Sequence, residues 1–580
     1  VNALTASAAI ASGRVQLANV RQSALLTAKK RALIILLAFV FLTATALMRV
    51  VQIGLFEGSP DRRSMADALV PERGEITDRN GVALARAFPS YSLWYNPKAF
   101  GEKGGSPLVK TPEEVASALV QIFPDADYDD LVRRLKSDKP SYLRKRVLPE
   151  EANHVFALGE PALEFPRENQ RYYPQGSLAA NVLGFVDREG KGHVGMEQVL
   201  EPRLLDPAQR ANPVALSIDA RAQGALEDEL GRGMLESNAK GAAGIVLDVD
   251  TGEVIALASL PSFNPNRSDR VFNDLVFNRV SNQVYELGST FKPITVAAAI
   301  DAGVITDLSV RYPTGPLNIG GFTIHDSHNF GPSLNVPEAL VHSSNIVTAQ
   351  IADKLGGPAL RRTMMQLGMN ERPTIELPAR GFPLWPRGTD AKGDWARITT
   401  MTVSYGHGIA VTPLHLASAY AALVNGGIWR PATLYKVDPA RVPPGRRVFK
   451  ASTSARIRQL LRMIVVDGTG RKADASGFRV GGKTGSAEKP GAGGYRRTSL
   501  VATFAAAFPM DKPRYVVIAM LDEPQGTVAT SGQRTAAWNA APIVGRVVPR
   551  IGPLLGVVPD ASRDVDITDL SPLVANGDGE

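Results

Sequence analysis

The 580-residue chain contains no cysteine. That excludes disulfide staples, thiolate nucleophiles and thiolate metal sites, and it suits an oxidising compartment where a stray thiol is a hazard. Acidic residues are missing from positions 1 to 31, where Arg14, Arg21, Lys29, Lys30 and Arg31 stand unopposed. Long apolar runs are scarce too: beyond the segment Ala32 to Met48, ALIILLAFVFLTATALM, no second membrane-length run follows. A dense basic stripe is also absent. The formal net charge is +8, yet the basic runs are short, at 29 to 31, 144 to 146 and 446 to 447, and no aromatics interleave them. A nucleic-acid partner is therefore not expected. What remains is a chain with 44% hydrophobic and 21% charged residues, the balance of a globular protein with two or three domains.

The basic N-terminal flank and the apolar run belong together. Extended through RVVQIGLF to Phe56, the run is long enough to span a bilayer, with Arg49 snorkelling to the far interface. The positive-inside rule then places residues 1–31 in the cytoplasm, makes 32–55 a single transmembrane anchor, and exports everything after about residue 56. Ala44-Thr45-Ala46 has the small-x-small form of a signal-peptide cleavage site, so a cleaved leader is the alternative. The bulk of the chain is exported in either case.

Residues 57–68 are polar and read as a linker. From there to residue 214 strand-like YSLWYNP and helical PEEVASALVQIF alternate with Pro-rich loops, an α+β module of residues 56–214 with no cluster of chemistry-bearing side chains. The next stretch, DARAQGALEDELGRGMLESN (219–238), has helical apolar spacing behind an aspartate. AAGIVLDVDTGEVIALAS is a hairpin around Asp250-Thr251-Gly252. Further strands are expected at FRVGGKTGSA, SLVATFAAAFP and RYVVIAMLD, helices between, and a last helix from about Thr535 to Arg550. Strands at both ends of a helical middle predict an α/β sandwich over residues 215–556 whose antiparallel sheet combines its first and last thirds. The acidic tail 557–580 is expected to fray.

YELGSTFKPITVAA (285–298) places a lysine in the first turn of a predicted helix capped by Ser289. Positive potential at the helix N-terminus and burial beside Phe291 and Ile294 both disfavour the Lys292 ammonium. A neutral amine is a base, and three residues upstream on the same face stands the Ser289 hydroxyl. Ser-x-x-Lys alone is a short pattern, equally the mark of a cap and a solvated lysine. Downstream, however, VHSSNIV contains Ser343-x-Asn345, and VGGKTGSAEK contains Lys483-Thr484-Gly485.

Ser-x-x-Lys, Ser-x-Asn and Lys-Thr-Gly in this chain order resemble the motif set of penicillin-binding proteins and serine β-lactamases. The resemblance implies a serine acyl-enzyme in which Ser289 attacks, Lys292 takes its proton and Ser343 relays a proton to the leaving amine. Asn345 would hold Lys292 and the substrate amide, and Lys483, with the Thr484 and Ser486 hydroxyls, a substrate carboxylate. Gly485 would let an extended peptide lie along its strand, and the backbone N–H groups of Ser289 and Ser486 would form the oxyanion hole.

The wider stretches RGEITDRNG (73–81), RYYPQGSLAANVLGFV (171–186), GHVGMEQ (192–198), LASLPSFNPN (257–266), SYGHGIAVTPLHLASAYAALVNGG (404–427) and GTGRKA (468–473) are similar to class B penicillin-binding proteins of the cell-division, FtsI type. This implies a penicillin-binding, serine β-lactamase-like α/β transpeptidase domain on a non-catalytic α+β pedestal, in which Arg73, Asp78, Arg171 and Glu197 make structural contacts. It implies a septal peptidoglycan D,D-transpeptidase in the bacterial inner membrane. Its donor is the D-Ala-D-Ala stem peptide and β-lactams acylate its serine. It needs no cofactor or metal. Residues 57–215 carry no acidic glycosyltransferase motif, so the resemblance implies a partner glycosyltransferase of the SEDS family, FtsW type, with other divisome membrane proteins. An elongation-specific class B enzyme and a non-catalytic scaffold activating such a partner are the alternatives. The pair His325 and His328 with Asp326 is expected to bond within its loop rather than bind a metal, His407 to pack or lie at the surface, and PGAGGY (490–495) to form a mobile lip.

Overall fold

The computed structural model describes residues 28–49, 72–99, 108–187, 190–270, 273–387, 389–390, 393–491 and 494–574. The linker and the tip of the expected PGAGGY lip, residues 492–493, lie outside these.

Helix α1 (Ala28–Arg49) is 22 residues long and is apolar and long enough to cross a membrane. Its two hydroxyls are satisfied within the helix: Thr43 Oγ1 donates to the Phe39 carbonyl at 2.6 Å and Thr45 Oγ1 to that of Phe41 at 2.8 Å.

In the body of the protein, the first module is built around the long strand Ala83–Tyr95, which pairs antiparallel with Ser141–Val147 and Arg167–Tyr172. Helix Pro112–Ile122 opens on a capping box between Thr111 and Glu114. Its Val115 and Leu119 pack with Leu93, Tyr95, Phe123 and Val155 in a separate small core. The other half of the module is continuous with the main core, through Ile76, Leu84, Met196 and Leu204. A buried ion cluster ties it together: Arg73 Nε donates to Glu197 Oε2 at 2.8 Å and Arg171 Nε to Glu197 Oε1 at 2.6 Å. Asp78 holds the join to the next module. Its carboxylate accepts from the backbone of Asn80 and Val82, both at 2.8 Å, and from Ala220 N at 3.1 Å.

Ala220 starts α2 (Ala220–Glu236), which is capped by Asp219. The hairpin β1 (Gly241–Asp248) and β2 (Val254–Leu260) follows, then helices α3 (Lys292–Asp301), α4 (Asn345–Leu355), α5 (Pro413–Val424) and α6 (Ala451–Asp467). Three strands return: β3 (Gly481–Gly491), β4 (Gly494–Phe508) and β5 (Tyr515–Asp522). The sheet is antiparallel throughout in the order β2-β1-β5-β4-β3. Its central strands β1 and β5 are buried on both sides because both faces are covered. Ile245, Leu247 and Ile518 face the core containing Tyr420 of α5, while Val246 and Val517 face α2 and α7 (Ala540–Ile551) through Leu226 and Val544. The last helix starts at Ala540 and not near Thr535, since 536–539 form a turn instead.

The expected fraying of the tail does not hold for residues 557–574. Asp564 pairs with Arg462 at 2.8 Å, Asp569 pairs with Arg456, and Leu570 is buried at 1% exposure. The acidic composition read as disorder is matched here by arginines on α6.

Candidate active site

β3 is the edge strand of the sheet, and the turn carrying Ser289 lies against its free edge. That turn is a 3-10 segment, Gly288–Phe291, running into α3. Ser289 is therefore not the helix cap expected of it: the residue before α3 is Phe291, with no side-chain cap bond. The Ser289 hydroxyl is half-buried and makes no hydrogen bond among the described residues. What the turn loses in capping it gains in clamping. Tyr420 Oη, fully buried, donates to the Thr290 carbonyl at 2.8 Å. Gly288 N donates to the Gly406 carbonyl at 3.3 Å.

Two glycines permit this closeness. A Cβ on Gly485 would lie 2.4 Å from the Leu287 carbonyl oxygen, and one on Gly406 2.2 Å from that of Gly288, distances no real side chain sustains. The missing side chain of Gly485 lets β3 reach the turn that bears Ser289.

Lys292 opens α3 and is fully buried. Its Nζ donates to the Ser343 carbonyl and lies 3.1 Å from Ser343 Oγ. Lys483, also fully buried on β3, places Nζ 2.9 Å from the same Ser343 Oγ and 3.2 Å from Thr484 Oγ1. Burial, and after it the neighbouring Lys483 charge, hold the Lys292 amine well below the usual lysine range, against a smaller opposing pull from Asp326. The largest cause is thus desolvation rather than the helix terminus. Burial alone lowers Lys483 to about 7.

Ser343 adopts a left-handed backbone with φ of 63°, uncommon for a residue with a side chain. The next residue, Ser344, is the cap of α4, accepting from Val347 N at 3.1 Å. Asn345 Nδ2 donates to the His325 carbonyl at 3.2 Å, so the structure does not bring this amide to Lys292. Thr484 Oγ1 is 2.8 Å from Thr469 Oγ1. Ser486 Oγ accepts from Ala536 N at 3.0 Å, which leaves its proton for an acceptor in the cleft.

Three contributors went unassigned in the sequence. Thr469 and Gly406 lie inside stretches singled out only for resemblance, and Asp326 was read only beside two histidines. No local pattern marks them, because each acts on a partner 15 to 118 residues away in the chain.

The model for the penicillin-binding protein transpeptidase domain matches residues 242–545 of the chain, and that for the penicillin-binding protein dimerisation domain matches residues 68–204. A probable peptidoglycan D,D-transpeptidase FtsI of Caulobacter vibrioides is 39% identical over 517 residues, 87% of this chain and 85% of that protein. The chain belongs to the penicillin-binding protein transpeptidase family. The FtsI peptidoglycan D,D-transpeptidase of Escherichia coli K12 is 30% identical over 555 residues, 91% of each chain. The fold resembles penicillin-binding protein 3 of Mycobacterium tuberculosis in complex with aztreonam, with a TM-score of 0.65 at 24% identity over 86% of this chain and 99% of that one. A transpeptidase domain of Burkholderia pseudomallei penicillin-binding protein 3 superposes with a TM-score of 0.53 at 32% identity, over 60% of this chain and 97% of that one. The family places this penicillin-binding protein's pedestal and transpeptidase modules in the order the fold displays.

Proposed function

We propose that this penicillin-binding protein is a septal peptidoglycan D,D-transpeptidase working through an acyl-enzyme on Ser289. The observation that carries the reading is the pair of fully buried lysines flanking Ser343 Oγ, at 3.1 Å for Lys292 and 2.9 Å for Lys483. A neutral Lys292 accepts the Ser289 proton as Oγ attacks the carbonyl of the D-Ala-D-Ala bond. Ser343, held by the Lys483 ammonium, passes its proton to the departing amine while taking the one that Lys292 received from Ser289, and D-alanine leaves. The amine of a neighbouring stem then attacks the ester, which forms the cross-link and restores the serine. Lys483 with the Thr484 and Ser486 hydroxyls receives the substrate carboxylate. The backbone N–H groups of Ser289 and Ser486 face the developing oxyanion. Asn345 turns from the His325 carbonyl to the substrate amide when the cleft fills.

The same reading assigns 1–31 to the cytoplasm, 32–55 to the membrane, 56–214 to the pedestal, 215–556 to an exported transpeptidase domain, and 557–580 to a C-terminal segment. Glycan polymerisation falls to a SEDS-type glycosyltransferase of the FtsW kind, met with other division proteins through the anchor and pedestal. β-Lactams, as D-Ala-D-Ala mimics, acylate Ser289. The test is to supply nascent glycan bearing pentapeptide stems to full-length protein with such a partner. The expected result is release of D-alanine and formation of cross-linked dimers by wild type and neither by Ser289→Ala. Cross-linking by the variant contradicts the assignment.

A further inference from the structure

The loop TIHDSHN, residues 323–329, lies outside the three motifs, yet one of its side chains reaches into them. Asp326 is partly buried, and its carboxylate is saturated with donors from the start of α4. Oδ2 accepts from Ser344 Oγ at 2.6 Å, and Oδ1 accepts from Asn345 N at 2.5 Å and from Ile346 N at 3.1 Å. Next to it, the His325 carbonyl takes the Asn345 side-chain amide. A carboxylate in this place caps the helix from outside its own segment: it satisfies the orphan N–H groups of the first turn and fixes the hydroxyl that is itself the cap.

The residue immediately before that cap is Ser343, whose Oγ serves both lysines. Its left-handed backbone is a strained state for a residue with a side chain, and such a state persists only where the surroundings over-determine it. On the upstream side the constraints are ordinary turn bonds, Ser343 N to the Leu340 carbonyl at 3.3 Å and Ser344 N to the Ala339 carbonyl at 2.8 Å. On the downstream side Lys292 Nζ donates to the Ser343 carbonyl itself, and Asp326 fixes the turn that follows through three bonds to the next three residues.

We infer that Asp326 is a positioning residue for acylation, a clamp that keeps Ser343 Oγ between Lys292 and Lys483 by locking the first turn of α4. It touches neither lysine by a hydrogen bond and takes no part in proton transfer. Its action is geometric: without it the turn relaxes from the left-handed conformation, Ser343 Oγ leaves the lysine pair, and the path for the leaving-group proton opens. The inference rests on the acyl-enzyme reading above.

The test is stopped-flow acylation of the full-length, detergent-solubilised protein by a chromogenic cephalosporin, resolving the binding constant from the limiting acylation rate. Asp326→Ala and Asp326→Asn are compared, with thermal unfolding of each. Asparagine can still accept both backbone N–H groups on Oδ1 and donate to Ser344 Oγ, so it preserves the clamp without the charge. Asp326→Ala should lower the limiting rate about 100-fold, the scale on which ångström displacements act, with an unchanged binding constant. Asp326→Asn should restore it to within about 5-fold of wild type while leaving the charge absent.

Wild-type rates in Asp326→Ala overturn the inference. So does equal loss in both variants, which would make the charge rather than the clamp responsible, and so does loss that only follows a fall in unfolding temperature. Failure of wild type itself to acylate would instead sink the acyl-enzyme reading, so the two failures are distinguishable.

Discussion

Lys292 and Lys483 meet at one hydroxyl: Ser343 Oγ stands 3.1 Å from the first Nζ and 2.9 Å from the second, and among the described residues neither lysine has a carboxylate as a hydrogen-bond partner. Two buried ammonium groups so placed repel, and burial penalises both. The arrangement is therefore stable with one amine and one ammonium, and the proposed function takes the amine to be Lys292 and the ammonium Lys483.

The first prediction concerns pH. Burial lowers Lys483 to about 7, so its ammonium is lost as pH rises through that value. The second-order acylation constant for a carboxylate-bearing β-lactam should fall above about pH 7 through weaker binding. At low pH it should fall through protonation of Lys292, whose amine titrates far below an ordinary lysine. Unfolded, each lysine titrates near 10.4, so between about 7 and 10 the unfolded state binds more protons and folding stability rises with pH. Denaturant unfolding at pH 6 and pH 9 should show this increment, smaller in Lys483→Met.

The second follows from the penalty for these charges. Lys292→Met fills the same buried space without an amine to desolvate, so it should abolish acylation and raise unfolding stability by about 1–2 kcal/mol. Calorimetry beside a β-lactam labelling assay checks both halves.

The third concerns the clamp on the nucleophile. Gly406→Ala forces a Cβ to 2.2 Å from the Gly288 carbonyl oxygen, at a backbone φ of 79°. The turn must move, and acylation should fall about 100-fold or more. Gly485→Ala should act alike from the other side. Acylation rates with unfolding temperatures measure the effect.

The fourth concerns the pedestal. Glu197 is fully buried between Arg73 and Arg171, so Glu197→Gln leaves the Arg171 guanidinium with a neutral partner and Arg73 with Glu201 as its remaining carboxylate, at 3.3 Å. Breaking a buried pair in this way should destabilise the protein by about 3–5 kcal/mol. Acylation by the molecules that remain folded should be unchanged, which separates structural from catalytic roles.

What is legible in the sequence depends on the range of the interactions. Local patterns gave the hairpin at Asp250, the helix behind Asp219 and the strand of Lys483, because periodicity and capping are written within a few residues. The three motifs singled out Lys292, Ser343 and Lys483, whose side chains the structure brings together. The 3-10 turn at Ser289 was not legible, since it is imposed by β3, Gly406 and Tyr420 pressing on it from distant parts of the chain. For the same reason Asp326 looked like one member of a histidine cluster, when its partners lie 18 to 20 residues further on. The packed tail was misread because composition reveals its acidity but not the arginines of α6 that answer it.

The most direct test of the central claim is intact-mass spectrometry of the protein over time after exposure to penicillin, for wild type and Ser289→Ala. A persistent adduct of one penicilloyl group on wild type and none on the variant is the predicted result. An adduct that disappears as free penicilloate accumulates would mean hydrolysis rather than transpeptidation. No adduct on wild type, or an equal one on the variant, would contradict Ser289 as the nucleophile.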